Sequence, residues 1–361
     1  LSFFGNIFKL EIPIIRQSLF AVFSIIFSLC FLSFAIVMAL GGSPKNSTLE
    51  VAIFQYALFD LNFNKAVMLS FIQIIICIIF VFIGFYKFKG SNFFEIGPIK
   101  YKHPHKNKIL IKLIDYFLIV FFSIFLFSPV ILLYSEFLKS IFFKIELTYT
   151  FIHAFINSIL ISLSTGVVVS IFGLLISYLL VINHKNFLFQ QLLFLTSSMI
   201  LIISPIIFSL GYFIFFQPII HYSYLNFFLV ILINVIFLLP FAILIFFNNI
   251  KNLYLNFNDF RKTYRIELFN YIKIIFPLLK NNFLYVFSFS TVITLGDFTI
   301  ISFFRSENFE TLPSYLFKLI STYQFNEASF VAGTILVLSM IIYFFIDNLN
   351  YQGRPDKTTW T

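Results

Sequence analysis

Charge is what this sequence lacks most. Only 11% of its 361 residues are Asp, Glu, Lys or Arg, while 60% are hydrophobic, against about a quarter charged in an ordinary soluble protein. So little polar surface cannot cover a water-facing globule, which excludes a soluble catalytic domain. The two cysteines, Cys30 and Cys77, both sit inside apolar runs, so a disulfide framework or thiolate metal site is not expected. Histidine is also scarce: the pair His103-Pro104-His105 lies in a Lys-rich stretch and reads as solvated, leaving no metal site. No Gly-x-x-x-x-Gly-Lys-[Ser/Thr] loop occurs anywhere, so the chain cannot cradle ATP in the usual way. No signal pattern precedes the first apolar run, and the chain begins with Leu1 rather than Met, as expected of an N-terminally truncated sequence. A net charge of +9 is of the sign that binds nucleic acid, but the cations are scattered in short stretches between apolar segments, so no nucleic-acid partner is expected.

What is present is apolar length. A spanning helix needs about 20 apolar residues to cross roughly 30 Å of hydrocarbon with its backbone hydrogen bonds satisfied internally. Eight segments qualify: Ser18–Leu40, Ala66–Tyr86, Tyr116–Tyr134, Phe155–Ile182, Leu192–Phe216, Asn226–Phe247, Phe283–Phe304 and Ala328–Ile346. The expected fold class is therefore all-α, a polytopic membrane protein with about eight transmembrane helices. With 58 Phe, periodicity inside these runs is unreadable. Orientation follows from the cations, which stay on the cytoplasmic side. Lys87, Lys89, Lys100, Lys102, Lys106, Lys108 and Lys112 follow span two, and Lys251, Arg261, Lys262, Arg265, Lys273 and Lys280 follow span six. The segment 217–225 between spans five and six has neither Lys nor Arg. Alternation places both ends in the cytoplasm.

The chain also repeats itself. At an offset of 264, Pro13 pairs with Pro277, Val22-Phe23-Ser24 with Val286-Phe287-Ser288, and Phe34 with Phe298. After two one-residue slips, Thr48-Leu49 pairs with Thr311-Leu312, Phe54 with Phe317, and Phe63-Asn64-x-Ala66 with Phe325-Asn326-x-Ala328. The expected organisation is then residues 1–86 as the last two spans of one unit and 87–112 as a cytoplasmic linker. Residues 113–347 form a complete six-span unit, and 348–361 a cytoplasmic tail. Both units run the same way, so the axis relating them should lie along the membrane normal.

Between spans six and seven, Phe257, Phe260, Tyr264, Leu268, Tyr271 and Ile275 recur at spacings of three and four, with Asp259, Arg261, Lys262, Arg265 and Glu267 mostly elsewhere. This predicts an amphipathic helix beneath the membrane, ended by Pro277. It serves either as a basic face on anionic lipid or as a docking helix for a cytoplasmic protein.

The stretch Arg261 to Pro277 resembles the cytoplasmic "EAA" loop of permease subunits of binding-protein-dependent ABC importers. The family's Gly thirteen residues before the Pro is Tyr264 here, and the three "EAA" positions read Asn258-Asp259-Phe260. Asn157-Ser158 opening span four, Ser204-Pro205 with Gly211 breaking span five, and Leu239-Pro240-Phe241 closing on span six fall in the family's order. Two further segments, Leu29–Gln55 with Phe59–Ala66, and Leu295-Gly-Asp-Phe298 with Phe309–Phe317, resemble the family's thiamine-importing branch. Parts of that pattern are shared with ferric-iron and polyamine importers. The resemblance implies an inner-membrane transport subunit working by alternating access. It implies a cytoplasmic ATPase dimer that consumes ATP and Mg and docks on Asp259, Arg261, Lys262, Tyr264, Arg265, Glu267, Leu268 and Pro277. It also implies a periplasmic substrate-binding protein facing the loops 41–64 and 305–327, with Glu50, Glu307 and Glu310. The chain itself is expected to bind no cofactor.

Asp297 is the one acid clearly inside a span, and an intramembrane carboxylate is a functional candidate by default. It could attract a cationic cargo or be hydrogen-bonded within the bundle. Its repeat partner is Ser33. Ser288, Ser290, Thr291 and Thr294 place hydroxyls along the same span, as helix-packing groups or as lining of a path. An intramembrane enzyme would need more converging acids or histidines than these. An ion-coupled secondary transporter would ordinarily carry more buried ionisable groups.

Overall fold

A computed structural model describes residues 12–40, 47–86, 109–142, 149–182, 191, 199, 202–218, 223–263, 268–306 and 309–351. The chain is an all-α polytopic membrane protein. Its helices are α1 (Ile12–Phe31), α2 (Ala35–Leu40), α3 (Leu49–Leu58), α4 (Phe63–Tyr86), α5 (Ile109–Phe142), α6 (Tyr149–Ile182), α7 (Pro205–Phe216), α8 (Ser223–Thr263), α9 (Leu268–Leu295), α10 (Ile301–Phe304), α11 (Leu312–Ser321) and α12 (Phe325–Tyr351). Among the described residues, five stretches are long and apolar enough to cross a membrane: Phe63–Gly84, Lys112–Ser140, Tyr149–Ile182, Tyr224–Tyr254 and Phe325–Ile346. They match expected spans two, three, four, six and eight.

Spans one and seven depart from the expectation of unbroken helices. The first stops at Phe31 and resumes as α2, and the seventh stops at Leu295 and resumes as α10. Span five is broken too, since α7 begins only at Pro205, with Ser204 capping it through Ile207 N–H; most of residues 192–201 lie outside the description. The break in span five falls at Ser204-Pro205, as the sequence indicated; those in spans one and seven were hidden because long apolar runs flank them closely on both sides, and hydropathy does not register a change of backbone direction.

The order long helix, short helix, short helix, long helix occurs twice, as α1–α4 and as α9–α12. The correspondence extends to backbone detail. Leu61 (φ 50°) and Tyr323 (φ 61°) are the non-glycine residues of positive φ among those described, and each sits in the turn between the second short helix and the long helix that follows. Their separation of 262 is that of Phe63 and Phe325.

Helix α6 is the hub, packing on α8 and α9. Ser158, Ser162, Gly166 and Ser170 recur at every fourth position and are continued by Gly173 and Ser177, all buried. In lipid there is little hydrophobic drive between helices, so close backbone approach through small residues supplies the packing. A Cβ at Gly166 would lie 2.3 Å from Thr291 Cγ2, and one at Gly173 2.6 Å from Ala242 Cβ. Helix α5 is the opposite case: its most apolar stretch contains no buried residue. It is held to α12, where Phe137 lies against Gly333.

The stretch between spans six and seven extends the helices on either side of it: α8 runs unbroken from Ser223 to Thr263 and α9 begins at Leu268, while 264–267 lie outside the described residues. Pro277 does not end a helix: α9 continues through it to Leu295. The bias a proline places on its predecessor is only a probable boundary, and membrane helices tolerate internal prolines where neighbours re-satisfy the backbone.

Candidate functional site at the helix breaks

The two broken helices meet. Phe34, just after the first break, stacks on Phe298, just after the second, with ring centroids 5.9 Å apart and planes 4° from parallel. Each ring is backed by its own series in the same way: Phe34 by Phe54 of α3 at 5.0 Å, and Phe298 by Phe317 of α11 at 4.7 Å. Phe54 and Phe317 are themselves repeat partners. Phe54 also meets Phe303 of α10 edge-on at 5.6 Å. These rings join Val51, Ile53, Ile206, Leu210 and Ile233 in one buried apolar cluster spanning both series.

Beside the stacked pair is a cavity of about 260 Å³. Ala35 and Ala39 of α2, Gly296 and Phe298 of the second break, and Phe317 of α11 line it. Its walls come from both series, and its flat aromatic faces suit a planar ring better than a hydrated ion. A second cavity, about 430 Å³, lies between α4 and α7 and is lined by apolar residues such as Ile74, Ile207 and Phe208.

Asp297 sits in the second break, where its carboxylate closes the exposed backbone. Oδ1 accepts from Thr299 N–H at 3.0 Å and Oδ2 from Ile300 N–H at 3.2 Å. Both oxygens are thus committed to holding the turn. Ser33, its counterpart, donates to Cys30 O at 2.8 Å. The hydroxyls along α9 turn inward on their own helix: Ser288 donates to Tyr285 O at 2.9 Å, Thr291 to Ser288 O at 2.8 Å, Thr294 to Ser290 O at 2.8 Å, and Ser290 to Val286 O. Their donors are spent on carbonyls three and four residues back, and Thr291 offers α6 its methyl group.

Three backbone groups of the second series are tied down from outside it. Asn226 Nδ2 donates to Phe304 O at 3.2 Å, Asn157 Nδ2 to Glu310 O at 3.1 Å, and Leu312 N–H to Ser158 Oγ at 2.7 Å. Asn157-Ser158, singled out in the sequence, therefore seats α11. Glu310 is ion-paired with Lys318 at 3.3 Å.

Glu50 corrects an expectation. It does not face outward from its loop: it is fully buried on α3, where Gln73 Nε2 donates to its Oε1. The Ser204 hydroxyl lies near the same carboxyl group, at the break in span five. Helix α3 is not one of the spanning helices, and burial pushes the Glu50 carboxyl up to about 7, against the Gln73 hydrogen bond and the nearby Ser204 hydroxyl, which hold it down. The signal lay in Gln73, the one amide in the apolar run 66–84, which needed a partner.

Of the docking-loop residues, Asp259, Arg261 and Lys262 lie on the last turns of α8, Leu268 opens α9, and Pro277 is exposed within it. Tyr264, Arg265 and Glu267 fall outside the described residues, as do the linker stretch 87–108 with its histidines, Glu307 and the tail from 352.

This architecture defines a class: a helical membrane protein organised round paired discontinuous helices, an arrangement transporters use where a path needs irregular backbone. No protein-family model and no solved structure matches the chain. Among curated proteins it is 28% identical over 362 residues to the thiamine transport system permease protein of Haemophilus influenzae, covering 96% of this chain and 64% of that protein. It is 27% identical to the Salmonella typhimurium protein of the same name, and 26% to that of Escherichia coli, each over 96% of this chain and 65% of the relative. The chain thus spans just under two thirds of the length of these relatives. The resemblance to importer permeases read from the sequence is borne out over nearly all of the chain.

Proposed function

We propose that this chain is a permease subunit of an ATP-driven importer that moves thiamine or its phosphates inward across the bacterial inner membrane. The observation that carries this reading is the similarity over 96% of the chain to proteins named as thiamine transport permeases. The helix order supports it. Residues 1–86 are the end of one unit, 113–347 a second unit, and 87–112 the linker, with both ends cytoplasmic. Rocking of the two units about the line through Phe34 and Phe298 would open the seam to one side and then the other. A flat cationic heterocycle would find aromatic faces at that seam. The free energy comes from a cytoplasmic ATPase dimer, which uses ATP and Mg and docks where α8 ends and α9 begins, on Asp259, Arg261, Lys262, Tyr264, Arg265, Glu267, Leu268 and Pro277. A periplasmic binding protein delivers the cargo. This chain is a transport subunit without chemistry of its own.

The test is co-purification of the membrane-embedded protein with a candidate ATPase, followed by labelled thiamine uptake. Wild type should retain the ATPase, and Arg265→Glu combined with Tyr264→Asp should lose it while the helices stay folded. Absence of any ATPase from the wild-type assembly would overturn the reading.

A further inference from the structure

Glu50 and Gln73 form a buried polar pair that the transport reading does not use. Both side chains are fully buried, and one hydrogen bond joins them, from Gln73 Nε2 to Glu50 Oε1. The other two oxygens, Glu50 Oε2 and Gln73 Oε1, are buried without a hydrogen-bond partner. Each is an acceptor left without a donor in a buried site, and an unpaired buried carboxylate is costly. No cation offsets it: the ion pairs among the described residues are Lys139–Glu136 and Lys318–Glu310. The groups facing Glu50 are Gln73 and the Cys77 thiol of α4 and the Ser204 hydroxyl beside α7. Lys65, the cation of α4, lies over the Tyr56 ring, two turns from Gln73.

A single proton resolves both orphans. A protonated carboxyl donates through one oxygen and accepts through the other, and a carboxamide does the same, so the two can pair through two hydrogen bonds. We propose that Glu50 is a proton-binding residue, held as the neutral acid in a two-hydrogen-bond pair with the Gln73 carboxamide, and that this pair latches α3 onto α4 beside the Ser204 break. Loss of the proton leaves a buried anion facing an amide oxygen, and the seat of α3 loosens. The inference rests on the burial and the orphaned oxygens, and stands whether or not the cargo is thiamine.

The experiment is infrared spectroscopy of the full chain in lipid nanodiscs, titrated with alkali, comparing wild type with Glu50→Gln, an isostere that can form the same two-bond pair without a titrating proton. Wild type should show a carboxylic C=O band that vanishes above neutral pH and is missing in Glu50→Gln. Thermal stability should move with it. A raised carboxyl pKa means the folded state holds its proton longer, so stability is full below the unfolded value and falls as pH rises through about 7. In Glu50→Gln that fall should be absent. Identical spectra for wild type and variant at every pH would overturn the proposal. So would loss of the band on adding sodium at constant pH, which would make the pair a metal-cation site. If Glu50→Gln does not fold, Gln73→Met replaces it: the acid band should persist and move to higher wavenumber, and an unmoved band would be equally fatal.

Discussion

Phe34 and Phe298 occupy matched positions in two copies of one helix series, and their rings stack on each other, 4° from parallel. The stack is thus a contact between the two series, and each series backs its own ring with a matching contact, Phe34–Phe54 and Phe298–Phe317.

The stacked pair should be coupled. Phe34→Ala and Phe298→Ala each remove a buried ring, at a cost of roughly 3–5 kcal/mol. The double variant should cost less than their sum by about 0.5–1.5 kcal/mol, the worth of an aromatic pair. Denaturation of the four proteins in one detergent measures the cycle, and strict additivity would show that the rings do not interact.

The approach of α6 to α9 depends on the missing side chain at Gly166. Gly166→Ala places a methyl 2.3 Å from Thr291 Cγ2, and overpacking of this kind costs about 1–3 kcal/mol. Thr291→Ser removes the opposing methyl and keeps the hydroxyl, so it should recover much of the loss in the double variant. Melting temperatures of the single and double variants decide it.

Asp297→Ala should act through stability before it acts through transport. It strips the acceptors from Thr299 and Ile300 N–H, a loss of roughly 1–3 kcal/mol. Asp297→Asn, which keeps one acceptor, should lie between. If uptake by Asp297→Ala is normal at normal expression, the carboxylate is not a contact of the cargo. Reduced uptake at unchanged stability would place it in the path.

At Tyr323 the backbone φ of 61° costs a side chain about 1 kcal/mol or more that glycine does not incur. Tyr323→Gly should therefore leave the melting temperature unchanged or raise it. Tyr323→Val should lower it, because branching at Cβ worsens the left-handed conformation. The same pair of substitutions at Leu61, the matched position, should give the same signs.

Membrane class, helix content and the positions of most spans were legible because they depend on composition and length alone: a chain this apolar has to satisfy its backbone within helices. The repeat was legible too, since proline, Thr-Leu and Phe-Asn-x-Ala kept their order. The breaks in spans one and seven were not, because Leu32-Ser33-Phe34 and Gly296-Asp297-Phe298 are short interruptions of long apolar runs, in which a single Ser or Asp does not reveal that the backbone changes course. Nor could the sequence show that Glu50 turns inward, since a lone acid between spans reads as a surface group until Gln73, 23 residues on, is folded against it. Composition and spacing determined that this chain is a helical membrane protein built from a repeated series. Tertiary packing decided where the copies meet and which polar groups are buried between them, because those outcomes depend on contacts between residues that are far apart in the chain.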